Sequence, residues 1–188
     1  MHAPNALTRM TDQPALDRVA APLSRAVRHG FERGGRAGQL VKEALKGGWL
    51  GHPLHPVFVD TPIGAWTTAL VLDGAAKGDP GMRRAATLAL GVGLLGALGA
   101  AITGIAEWSE TQGRARRTGL MHGVLNVAAT SFIAASLFRR SSDPHATGRT
   151  CAWSGYVIAL ASAYLGGDLV YAQGVGVMQA DEGTGAAS

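Results

Sequence analysis

Charge is scarce in this chain, and its absences are long. Only 16% of the 188 residues are Asp, Glu, Lys or Arg, against about 25% in an ordinary soluble domain. Residues 85–106 carry no charge, 118–138 hold His122 as their only ionisable group, and Asp168 is the sole charge between 150 and 180. Between 57 and 76 only Asp60 and Asp73 are charged. Each run is about 20 residues or more, enough at 1.5 Å per residue to cross a hydrocarbon core of roughly 30 Å. Four such runs are hard to accommodate in a soluble core. Cysteine is nearly absent: Cys151 stands alone, which excludes an intrachain disulfide and a cysteine-rich metal site. It reads as a small residue near a helix start. Aromatics make up 6% of the chain and do not interleave with basic residues. A net charge of +4 and a pI near 9.7 therefore do not point to nucleic acid. No apolar h-region occurs in the first 47 residues, so the first apolar run is expected to act as the insertion signal. No nucleophile–base–oxyanion arrangement is legible, and an enzyme is the least supported class.

What is present reads as an all-α polytopic membrane protein with four transmembrane helices and a basic amphipathic amino-terminal arm. Residues 1–47 form that arm. Within it Leu16, Val19, Leu23, Val27 and Phe31 recur at three- and four-residue steps, with Arg18, Arg25, Arg28 and Arg33 mostly elsewhere on the wheel. Such a helix suits an anionic headgroup surface, although a solvated tail with a weak apolar stripe fits about as well. Gly34-Gly35 ends it, and a second short helix over 37–45 precedes Gly47-Gly48. The membrane domain covers 48–178, with spans at about 54–76, 85–108, 118–138 and 152–171. Residues 179–188 read as a disordered tail. The glycines at 91, 93, 96, 99 and 104 are expected to serve close helix packing. Eight of the 17 Lys and Arg precede residue 48 and three lie in 109–117, against three in 77–84 and three in 139–149. The positive-inside rule then places both termini in the cytoplasm and the chain in the inner membrane.

The residues that do not belong in hydrocarbon sit at alternate span ends. They are His52, His55 and Asp60, then Glu107, then His122 and Asn126, then Asp168. With spans of alternating direction these ends share one leaflet. A buried ionisable group costs roughly 2.5–3.5 kcal/mol on insertion scales, so such a set is a candidate pocket. In Gly51-His52-Pro53-Leu54-His55-Pro56 each histidine precedes a proline and is expected on extended or turn backbone. His55 can hydrogen-bond loop carbonyls or ligate a metal or haem iron. Asp60 beside Thr61-Pro62 can cap local amides, while Gly64 and Thr67 extend a small polar stripe from it. Glu107 beside Trp108 can be merely interfacial. His122, with Asn126 four residues on, is the leading histidine, either as a structural donor or as a ligand or proton carrier. Asp168 needs a proton or a cation, and a His122 imidazolium would be a natural partner.

The run Gly51–Pro56, continued by Asp60-Thr61-Pro62-Ile63-Gly64-Ala65-Trp66 and Leu70-Val71-Leu72-Asp73, resembles the opening of a bacterial membrane family known as domain of unknown function 2231. Further matches are Thr103-Gly104-Ile105-Ala106-Glu107-Trp108, His122 with Leu125-Asn126, and Tyr164-Leu165-Gly166-Gly167 with Leu169-Val170-Tyr171. The resemblance covers about 38–178. It implies a four-helix membrane domain, sometimes fused to a Rieske iron–sulfur domain, and the Cys/His pairs of such a domain are not in this chain. Where the family usually has Gly-Gly-His, this chain has Asp168.

Three functions stay open on these residues. The first is a redox membrane domain that binds haem b or quinone through His55 and His122, or anchors an iron–sulfur partner. The second is an ion- or proton-handling protein using Asp60, His122 and Asp168, for which four helices would require a homodimer. The third is a non-catalytic membrane scaffold whose polar cluster locks helix packing.

Overall fold

The computed structural model describes residues 6–142 and 147–176, and every regular element in them is helical. Three helices precede the apolar region: α1 (Ala6–Thr11), α2 (Asp17–Arg33) and α3 (Gly35–Lys46). Then come α4 (His55–Ala75), α5 (Pro80–Trp108), α6 (Gly113–Ser142) and α7 (Thr147–Gly167), the last continued by a π-helical turn over Asp168–Ala172. The tail expected at 179–188 lies outside the described residues.

Local chemistry explains the boundaries. Gly47 ends α3 at φ 87°, with its N–H returned to Ala44 and Glu43 carbonyls, the left-handed cap that glycine adopts without a Cβ penalty. A Cβ there would also press on the backbone of His52 and Leu54. His55 opens α4 as its first helical residue, where extended or turn backbone was expected. The missing N–H of Pro56 costs nothing in a first turn, because that donor has no intrahelical acceptor. α5 starts at Pro80, five residues before the expected span. Asp79 Oδ1 accepts from the N–H groups of Gly81 at 2.6 Å and Met82 at 3.2 Å, and Pro80 stands at the first helical position. Asp-Pro is thus an ordinary helix start hidden in what reads as a turn.

Among the described residues three helices are long and apolar enough to cross a membrane: Pro80–Trp108, Gly113–Arg140 and Thr147–Ala172. α4, which carries Asp60, Asp73, Pro56 and Pro62, is not one of them.

The chain divides into two compact units. One comprises His55–Ile102 and Val124–Ser162, the other Met1–Leu54, Thr103–Gly123 and Ala163–Ser188. In the first, the buried core is built from small residues, Ala69, Ala86, Ala129, Ala152 and Ala159, around Trp66, Leu70, Leu90 and Ile133. Large aliphatics face outward instead: Leu95 is 72% exposed and Val127 69%. This inverts the order of a water-soluble bundle and suits an apolar solvent. Gly93, Gly96 and Gly99 form the contact stripe of α5 against α4. A Cβ at Gly93 would enter the Trp66 indole, one at Gly96 would lie 2.7 Å from Thr61 Cγ2, and one at Gly99 would meet the Phe58 ring. The glycine spacing therefore marks packing at these three positions. Gly91 has nothing within 4 Å of its Cβ direction and takes no part. Trp66 Nε1 donates to the Leu90 carbonyl at 3.4 Å, and Thr67 Oγ1 lies 2.6 Å from the Tyr156 hydroxyl.

Candidate functional site

The second unit gathers charge at the turn between α5 and α6. Glu110, two residues past the end of α5, receives both lysines of α3: Lys42 Nζ at 2.6 Å from Oε1 and Lys46 Nζ at 2.7 Å from Oε2. Burial alone would raise the Glu110 carboxyl, but the hydrogen bonds from Lys42 and Lys46 outweigh it, and its pKa falls below the ordinary value. For Lys46 burial pulls downward, while the Glu110 hydrogen bond and the charges of Glu110 and Glu43 prevail and raise it. Next along, Arg116 Nη2 and Arg117 Nη1 donate to the two oxygens of Asp17 at the start of α2, both at 2.8 Å. Those two guanidinium hydrogen bonds hold the Asp17 carboxyl below the usual range. Ser24 Oγ donates to the Ser109 carbonyl at 3.2 Å, and Arg117 Nε to the Thr11 carbonyl at 3.2 Å. α1, α2 and α3 are therefore anchored on the segment 109–117 by charge and hydrogen bonds.

Four of the expected site residues lie in this unit: His52, Glu107, His122 and Asp168. Asp168 Oδ2 accepts from Gln173 Nε2 at 2.7 Å and from Arg114 Nη2 at 3.4 Å. Its counter-ion is thus a guanidinium from the start of α6, where a His122 imidazolium had been the expected one. Arg114 Nε also lies 2.9 Å from Asp12, and Gln173 donates to Thr118 Oγ1 at 3.1 Å. The π-helical turn beginning at Asp168 brings Gln173 back onto its carboxylate five residues earlier. His122 packs its ring on α7 at Gly166, where a Cβ would come within 3.2 Å of Cε1. Gly166, two residues before Asp168, therefore opens room for an imidazole from α6. Glu107 is half-buried, its Oε1 facing Gly176. Trp108 lodges against Gly119 and donates from Nε1 to the Arg116 carbonyl at 2.9 Å. His52, also here, is exposed and hydrogen-bonds the Pro53 carbonyl at 3.2 Å.

The first unit holds His55, Asp60 and Asn126. His55 Nδ1 lies 2.8 Å from the Ala100 carbonyl. A carbonyl only accepts, so Nδ1 carries the proton and Nε2 is the lone-pair nitrogen of that tautomer. Asp60 is exposed on α4, and Asn126 is half-buried on α6. The same unit contains an ion pair that the sequence did not single out. Arg140, near the end of α6, grips Asp73, near the end of α4, with both Nη atoms, Nη1 to Oδ1 at 2.9 Å. The side chains are only 9% and 1% exposed. Arg140 Nε also donates to Ser136 Oγ at 3.2 Å, and Ser136 donates to the Gly148 carbonyl at 2.6 Å. The available signal was depth: Asp73 closes one apolar run and Arg139-Arg140 closes another. Glu110 and Lys42 were missed as well, since a charge in a loop and one in a polar helix carry no pattern of their own.

Among the described residues no three of His, Cys, Asp or Glu come together as they would around a metal ion. The chain matches, over residues 51–179, the family model described as a predicted membrane protein, domain of unknown function 2231. No curated protein and no solved structure matches it.

Proposed function

The chain belongs to the domain of unknown function 2231 family of predicted membrane proteins, and on that premise we propose that it is a four-span scaffold of the inner membrane, with both termini cytoplasmic. α4 supplies the fourth span. Its 21 residues reach about 31 Å, the thickness of the hydrocarbon core, and pairing with Arg140 compensates Asp73. The arm and the segment 109–117 belong to one compact unit, which favours a shared side, and together they hold most of the basic residues.

The observation that carries the scaffold reading is how the acidic groups are used. Asp168 is held by Arg114 and Gln173, Asp73 by Arg140, Asp17 by Arg116 and Arg117, and Glu110 by Lys42 and Lys46. A carboxylate paired in this way is a clamp between elements. Purified protein in detergent tests the reading through its absorption spectrum, extracted quinone and unfolding free energy. The expected result is colourless, quinone-free protein that Asp168→Asn destabilises without removing any separate activity. A Soret band, bound quinone, or a pH-dependent liposomal flux abolished by Asp168→Asn would overturn it.

A second reading, a redox domain holding haem b or quinone or docking an iron–sulfur protein, is favoured by the His55–Ala100 hydrogen bond. Ligating imidazoles usually donate their other ring N–H to a carbonyl or carboxylate, which fixes the tautomer and aims the lone pair. On this reading His55 and His122, which lie in different units, are each a ligand candidate in their own right, and haem would supply one-electron transfer. A Soret band lost in His122→Ala would select it.

A further inference from the structure

The arm leaves part of its apolar side uncovered. α2 docks by a narrow edge, with Ala20 and Ser24 buried and Asp17 bound to Arg116 and Arg117. α3 docks through Lys42 and Lys46. Leu16, Val27 and Phe31 are half-buried along the docked edge of α2, while Val19 is 59% exposed, Leu40 63% and Trp49 70%, with Leu23 and Val41 exposed beside them. At about 100° per residue, Val19, Leu23 and Ala26 fall on one strip of α2 roughly a quarter-turn or more from the buried edge. Arg18, Arg25, His29 and Arg33 fall on the next strip round. Pro22, Arg25, Ala26, His29 and Arg33 also line an open groove of about 370 Å³. Glu32 is the acidic group on this face, 2.6 Å from His29 and 3.6 Å from Arg28, and it leaves Arg18, Arg25 and Arg33 in excess.

An apolar strip flanked by arginines has two needs, a hydrocarbon boundary and a layer of anions, and one surface supplies both. The arm is fastened to Ser109–Arg117, which joins the ends of two helices able to span a bilayer. That anchorage keeps it at the membrane–water boundary. We propose that α2 and α3 form an interfacial platform that binds anionic phospholipid in the leaflet beside the 109–117 turn. Val19, Leu23, Leu40, Val41 and Trp49 enter the acyl boundary, and Arg18, Arg25 and Arg33 engage headgroup phosphates. The proposal rests on the multi-pass reading only for the position of that turn.

The test uses full-length protein with Cys151→Ala, carrying Leu23→Cys or Leu40→Cys with a fluorescent label, in vesicles of phosphatidylcholine with or without phosphatidylglycerol. In the anionic vesicles both labels should be quenched by bromine-substituted acyl chains and shielded from an aqueous quencher. Replacing Arg18, Arg25 and Arg33 by Gln should lower the embedded-to-free ratio about fivefold per arginine, as should raising the salt. Labels open to the aqueous quencher overturn the proposal. So does shielding from both quenchers, which would mean that protein covers the strip, and so does equal embedding with and without phosphatidylglycerol. A label at Leu95→Cys reports separately on the membrane span: it should be lipid-quenched in every vesicle, and its failure would count against the multi-pass reading itself.

Discussion

Removing the Asp73 carboxylate would leave the Arg140 guanidinium in a site where its side chain is 9% exposed. Two charge-assisted hydrogen bonds vanish at once, and only the 3.2 Å contact from Nε to Ser136 Oγ remains. Breaking a buried pair by removing one partner costs about 3–5 kcal/mol, because the remaining charge has no compensation. Arg140 stands near a helix end and can snorkel towards headgroups, so Asp73→Ala should cost about 3 kcal/mol. Asp73→Asn, which keeps the shape and one acceptor, should cost less. Replacing both residues, Asp73→Leu with Arg140→Met, should recover much of the loss, since no unpaired charge is then buried. Reversible unfolding in mixed micelles, titrated with a denaturing detergent and followed by circular dichroism, gives all three free energies. A loss for Asp73→Ala under about 1 kcal/mol, the range of an exposed pair, would refute the reasoning. A double variant as unstable as the single one would do the same.

Gly93→Ala should destabilise by about 1–3 kcal/mol because its Cβ enters the Trp66 indole, whereas Gly91→Ala, facing open space, should be neutral or stabilising; the same unfolding titration compares them. Gly166→Ala should displace the His122 ring, 3.2 Å from the new Cβ, at a cost of about 1 kcal/mol, visible as a shift of the His122 Cε1–H resonance. Docking of α2 and α3 should respond to acid. Asp17 and Glu110 are lowered from 3.8 and 4.5, so their contribution is full above those values and is lost as the pH falls through the lower folded pKa values. Hydrogen exchange over residues 17–46 should rise in that window and stay flat near neutrality. Lys46 acts in the opposite sense: raised above 10.5, its contribution is present below that value and lost as the pH climbs through the folded one.

How much was legible depends on whether a signal is local. The long uncharged runs mark α5, α6 and α7, because each residue's preference for hydrocarbon is its own property and adds along a helix. Gly93, Gly96 and Gly99 could be read as packing from their spacing, since small residues three apart occupy one face. The start of α5 was missed by five residues because Asp79-Pro80 was taken with the glycines around it as turn. At the polar groups the reading reached residue types and fell short of partners. Asp168 was recognised as needing a cation, but both the pocket histidine and an arginine four residues before Thr118 met that description.

The sequence by itself determined the helical class and the membrane setting, because composition and period act residue by residue. Tertiary structure alone decided which charges meet. It gave Arg114 to Asp168, Arg140 to Asp73 and both α3 lysines to Glu110, and it set His122 against Gly166. It also left Val19 and Leu23 of the α2 stripe exposed and docked the edge that carries Ala20 and Ser24. The physical reason is the range of the interactions. Hydrophobic preference is carried by each side chain wherever it lies, whereas an ion pair needs two groups within about 4 Å, which only the packed chain supplies.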